Sequence, residues 1–140
     1  MTTLLHKISI DASPATVFAA LSTVKGLKAW YAPDITGKIV QDGEFNVKSP
    51  KHETFDWKIV ELKPESLVRW QCLKGPQDAI GTTVTFLISA ITETRTSVEC
   101  EHAGHPSSSK ALPTCNTFWG ILLGHLKGYA ETSHAIPALA

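Results

Sequence analysis

The segment TFWGILLGHLKGYAE, residues Thr117 to Glu131, has apolar residues at helical spacing but repeats glycine at Gly120, Gly124 and Gly128. At roughly 100° per residue, Phe118, Trp119, Leu122, Leu126 and Tyr129 share one face of a helix. His125 falls at the edge of that face, and the three glycines form a stripe behind it. An interior glycine costs a helix about 1 kcal/mol relative to alanine. The stripe therefore predicts a close neighbour on the back of the helix: the short N-terminal helices, the first strand, or a second subunit. The front face predicts an apolar sheet.

The rest of the chain supplies that sheet. LLHKISI alternates Leu4, His6, Ile8 and Ile10 against Leu5, Lys7 and Ser9, the period of a strand. In SPATVFAAL, Ser13 can cap a helix, Pro14 suits its first position, and Val17, Phe18 and Leu21 form an apolar stripe. A second short helix spans about Val24 to Trp30. From Gly37 onward the period changes to 2 in GEFNVK, FDWKIVEL, SLVRWQCL, TTVTFLIS and RTSVECEH. Alternation puts Phe45, Val47, Phe55, Trp57, Ile59, Val68, Trp70, Cys72, Val84, Phe86, Ile88, Val98, Cys100 and His102 on the helix side. The loop GHPSSSKALP leads into the last helix, with a cap expected near Thr114 or Asn116. The order is strand, two short helices, about five meandering strands and one long helix, which means α+β with helices on one face of an antiparallel sheet.

Residues 1–140 are the size of one domain. With 43% hydrophobic residues, 19% charged ones, and 13 basic balancing 13 acidic, nothing drives binding to nucleic acid. The opening MTTLLHKISIDASP has no apolar run of signal-peptide length, and no segment is long enough to insert in a membrane, so a cytoplasmic protein is expected. Cys72, Cys100 and Cys115 are odd in number and sit in apolar patterns, as reduced core thiols do.

These segments also carry a resemblance. SPATVFAAL, LKAWYAPD, GEFNVK, FDWKIVELKPESLVRW, TTVTFLI and FWGILLGHLKGYAE resemble, in the same order, the motifs of START-like (SRPBCC) domains. The closing helix is similar to that of the subgroup named after the activator of heat-shock-protein-90 ATPase, and the polyketide cyclase-like subgroup lies close by. The resemblance implies a helix-grip fold, in which a curved sheet wraps a long C-terminal helix around a hydrophobic cavity. It further implies a small hydrophobic or aromatic ligand, lipid- or polyketide-like, and no metal or redox cofactor. Fold alone does not choose among binding module, cyclase or aromatase, and chaperone-activating interaction module.

For a ligand, the expected cavity walls are Trp30, Phe45, Phe55, Trp57, Trp70, Phe86, Phe118, Trp119, Leu122, His125, Leu126 and Tyr129. The alternative for these rings is that they fill one another's space. For catalysis, His125 and Tyr129 are the candidates for proton transfer, against the plainer reading of an edge histidine bonded to a carbonyl. Trp30 and Tyr31 either rim the cavity or staple the second helix to the sheet. Asp34 is placed in a loop at the mouth, and the loops Trp30 to Gly37 and Gly104 to Pro113 serve as gates. CEHAGH has the look of a metal site, but Cys100, His102 and His105 on an extended strand should not face one side, so no metal is expected. Partners are thus a small hydrophobic molecule, a second copy if one covers the glycine stripe, and, as the resemblance implies, a chaperone.

Overall fold

A computed structural model describes residues 1–139. The elements run β1 (Thr2–Ile10), α1 (Pro14–Ser22), α2 (Val24–Trp30), β2 (Asp34–Gly37), β3 (Glu44–Ser49), β4 (His52–Lys63), β5 (Leu67–Lys74), a 3-10 turn (Gln77–Ala79), β6 (Thr83–Thr92), β7 (Arg95–His105) and α3 (Leu112–Thr132). All seven strands form one antiparallel sheet in the order β1-β7-β6-β5-β4-β3-β2. Each neighbour from β2 to β7 follows in sequence, and β1 closes the far side against β7. The three helices share the sheet's inner face, which is the helix-grip α+β arrangement.

Parity along the strands selects that face. Phe45, Val47, Trp57, Ile59, Val68, Trp70, Cys72, Val84, Phe86, Ile88, Val98, Cys100 and His102 are all buried, as alternation requires, and Phe55 is half-buried beside them. On top lie Trp119, Leu122, Leu123 and Leu126 of α3. The rings of Trp57 and Phe86 meet Trp119 edge-on at 6.4 and 6.1 Å. Trp70 is the centre of the aromatic packing, contacting Tyr31, Phe45, Trp57 and Phe86 at 5.0 to 6.1 Å between ring centres.

Helix α1 begins where its sequence signals: the Ser13 hydroxyl accepts from the Thr16 N–H, with Pro14 in the first turn. The Thr23 hydroxyl caps α2 in the same way through Gly26 N–H. Three expectations need correction. The stretch after Trp30 is not an open gate, because Asp34–Gly37 pairs with β3 as an edge strand and sets Asp34 opposite Lys48. Four residues with one buried side chain, Ile35, are too short to show a period. Helix α3 starts before Thr114, at Leu112 after Ala111, with Pro113 in its first turn and no side-chain cap.

The third correction concerns glycine. A Cβ on Gly124 or Gly128 would meet nothing within 4 Å, and one on Gly120 would only touch the His6 ring at 4.0 Å. Among the described residues neither short helix reaches the stripe, and β1 touches it only at Gly120, through His6. Gly26 in α2 is the opposite case, since its Cβ would lie 2.6 Å from the Ala20 carbonyl oxygen and 2.7 Å from its Cα. The bare Cα of Gly26 is what lets α2 pack against the backbone of α1. Gly26→Ala should therefore cost about 3 kcal/mol of stability, because backbone cannot yield as a side chain does. Gly124→Ala should add about 1 kcal/mol to the monomer through helix propensity alone. Urea denaturation of the two variants checks both signs.

The chain after α3 returns to the core. Ala138 and Leu139 N–H groups donate to the carbonyls of Trp30 and Tyr31 at 2.9 Å, and Leu139 is buried. Ser133 makes the turn in the left-handed region at φ 63°.

Candidate functional site

One cavity, of about 230 Å³, enters the aromatic core at the N-terminal end of α3. Its floor is buried: Tyr31, Trp57, Ala79, His102, His105 and Trp119. Its walls are Phe55, Phe118 and the half-buried Cys115, and its rim is His52, Glu53, Asp78 and Thr114. Pro76 and Ala111 complete the lining. Phe55 and Trp57 stack in parallel at 5.6 Å, and Phe118 meets Trp119 edge-on at 6.0 Å. A flat apolar slot results.

The polar floor depends on an irregularity in β7. His102 and His105 are three residues apart, so in a regular strand they would face opposite ways. Both are buried on the inner face, because the β1–β7 register shifts between Thr2 and Leu4 and Gly104 takes φ +98°. An extra residue in one strand is a β-bulge, and glycine supplies the left-handed backbone it needs. The expectation that Cys100, His102 and His105 cannot share a side is thereby overturned. An isolated glycine within the strand pattern of CEHAGH was the available sign of it. Even so, no three His, Cys, Asp or Glu side chains converge to hold a metal ion among the described residues.

The two imidazoles lie edge-to-face with centres 4.4 Å apart and Nε2 atoms 3.2 Å apart. His102 Nε2 is also 3.2 Å from Thr82 Oγ1, whose own proton goes to the Ala79 carbonyl at 2.6 Å. Burial, and then the neighbouring His105 and His6, push the His102 pKa down to about 4, so its ring is neutral near pH 7. Burial lowers His105 as well. The Nδ1 atoms of both are buried with no hydrogen-bond partner among the described residues, each at a cost of about 1–3 kcal/mol. Above them, Trp57 Nε1–H donates to the Tyr31 hydroxyl at 3.2 Å. Burial raises the Tyr31 phenol far above its ordinary value, so it stays a neutral hydroxyl. Burial also raises the thiols of Cys72, Cys100 and Cys115, and all three cysteines are free.

The expected site residues divide three ways. Phe55, Trp57, Phe118 and Trp119 line the cavity. Trp30, Phe45, Trp70, Phe86, Leu122 and Leu126 are instead packed among one another in the core. Trp30 staples α2 to α1 through its Nε1–H and the Ala20 carbonyl at 2.8 Å, whereas Tyr31 beside it reaches the cavity. The cavity does not include His125 and Tyr129, which lie in an open groove on the outer side of α3 with Gly124, Gly128 and Ile136. There His125 Nδ1–H donates to the Ile136 carbonyl at 2.6 Å, the plainer of its two expected roles. Asp34 is on the edge strand and outside the cavity lining.

A small apolar slot between a grip-like sheet and the end of its long helix defines an SRPBCC-type domain. The chain belongs to the family described as activator of Hsp90 ATPase homolog 1-like protein, whose model matches residues 11–131. Its fold is similar to the Aha1 dimer from Colwellia psychrerythraea, with 31% sequence identity, TM-score 0.85, and coverage of 94% of this chain and 98% of that one. CalU16 from Micromonospora echinospora shares the fold at 16% identity and TM-score 0.74, covering 91% of this chain and 73% of that one. DynU16, a protein of the dynemicin biosynthetic locus, does so at 18% identity and TM-score 0.79, covering 95% of this chain but only 48% of its own length. No curated protein matches the sequence. No helix among the described residues is long and apolar enough to cross a membrane.

Proposed function

We propose that the protein binds a small aromatic molecule in the cavity at the N-terminal end of α3. The observation that carries this reading is a slot of about 230 Å³ walled by Phe55, Trp57, Phe118 and Trp119. A sealed apolar cavity of about 150 Å³ holds benzene, and drug-sized ligands occupy about 300–1,000 Å³. One or two fused rings match the space, while an extended lipid or polyketide chain would need it to open. Because Trp57 and Trp119 face the ligand, their indole N–H signals should move in a nuclear magnetic resonance titration with small aromatics, while that of Trp30 stays still. Thr114→Trp, which places bulk at the rim, should weaken binding at least tenfold in a folded protein. If a library of one- and two-ring compounds moves neither indole, and native mass spectrometry finds nothing bound, the reading is wrong.

A second reading concerns assembly. The Colwellia relative is described as a dimer, and the back of α3 here leaves Gly124 and Gly128 uncovered beside Ile121 and Ile136, which are 52% and 66% exposed. These observations support a homodimer built on that face. Sedimentation should then show a dimer that Ile121→Glu converts to monomer, and Gly124→Ala should weaken association instead of only stabilising the helix. A monomer at all concentrations would end this reading.

A further inference from the structure

We propose that the His102–His105 pair selects a neutral hydroxyl on the aromatic ligand, so that the site prefers a phenol to a hydrocarbon or an aromatic carboxylate. This inference rests on the cavity reading above and adds the ligand's polar group. It starts from the proton order of the floor. The Thr82 hydroxyl spends its proton on the Ala79 carbonyl, so its oxygen faces His102 as an acceptor. His102 therefore carries its proton on Nε2, and the His105 Nε2 beside it is left as an acceptor. The His105 proton then sits on Nδ1. The floor thus offers one unspent acceptor, His102 Nδ1, and one unspent donor, His105 Nδ1–H. Both rings line the cavity, and a ligand hydroxyl that reaches these nitrogens leaves in place the Nε2 contacts that set the proton order.

Only some groups answer this pair. A hydroxyl donates and accepts, a carboxylate only accepts, and a methyl group does neither. Charge points the same way. The rim carries Glu53 and Asp78, and no lysine or arginine is among the described residues lining the cavity. The α3 N-terminus, which would otherwise favour an anion, opens beside Asp78, whose carboxylate adds to burial in raising the Cys115 thiol. A ring-bound hydroxyl also suits the flat walls, since the hydroxyl lies in the plane of its ring.

Three probes of one shape test the idea: 2-naphthol, 2-methylnaphthalene and 2-naphthoate, titrated at pH 7.5 against tryptophan fluorescence. The naphthol should bind at least tenfold more tightly than 2-methylnaphthalene, and the naphthoate more weakly than either. His105→Leu should bring the ratio of naphthol affinity to 2-methylnaphthalene affinity down to about one. Thr82→Val, which frees the proton order without emptying the floor, should shrink the preference in the same direction. Equal binding of naphthol and 2-methylnaphthalene by the unaltered protein overturns the proposal and leaves the cavity reading standing. Binding of none of the three overturns both. A naphthol preference that survives in folded His105→Leu also overturns the assignment to this pair.

Discussion

Trp70→Ala should lose about 4 kcal/mol of folding free energy in urea denaturation, more than most single replacements in this chain. The side chain is fully buried and is ringed by Tyr31, Phe45, Trp57 and Phe86. Truncation opens a hole that four rigid rings on three sheet strands and a helix end cannot close together. Against a typical total of about 5–15 kcal/mol, that loss leaves the domain close to unfolding. The indole brings a liability as well, because Trp70 Nε1–H is buried without a partner. Trp70→Phe keeps most of the ring and removes the unsatisfied donor, so it should cost about 1 kcal/mol, well below the usual price of lost volume. If the phenylalanine variant is as damaged as the alanine one, then shape and not polarity governs this position.

The second large effect is on acid stability. The ordinary histidine pKa is 6.5, and in the folded protein His102 is held down to about 4. Below pH 6.5 the unfolded chain takes up a proton that the folded chain refuses, so stability falls as the pH drops toward 4. Above 6.5 this group contributes no slope, and below about 4 the loss levels off. The full effect is about 3 kcal/mol, at 1.36 kcal/mol for each pKa unit. His105, lowered in the same direction, adds to it. Thermal unfolding across this range should show a falling acid limb that His102→Leu largely removes. A flat profile in the unaltered protein would mean that His102 gains its proton while folded.

How much of this could be read from the sequence depends on the kind of residue. The inward set from Phe45 to Cys100 was legible because each strand repeats its side-chain direction every second residue, and one face is buried throughout. The start of α1 was legible because Ser13 and Pro14 act locally, Ser13 through a bond from the N–H group three residues on. The cavity was not legible at the same resolution. Trp57 and Trp70 show the same parity and the same chemistry, yet one faces open space and the other is sealed by rings from four other segments. That difference is set by where α3 begins over the sheet, and its start lacks a side-chain cap to announce it. His125 failed as a cavity residue for a related reason. An angle on a helical wheel fixes which side a residue lies on, but not that the returning tail will offer it the Ile136 carbonyl.

The bulge at Gly104 has a consequence for recognising the site elsewhere. A relative that keeps the three-residue spacing but runs through this point as a regular strand would keep every histidine and still lose the paired floor, since His105 would swing to the outer face of the sheet. Conversely, a chain with different flanking residues but the same spacing and the same glycine could possess it. A chain one residue shorter here would need no bulge at all, because imidazoles two residues apart in a regular strand already share a face. The spacing of the two imidazoles identifies such a floor only together with the backbone that runs between them.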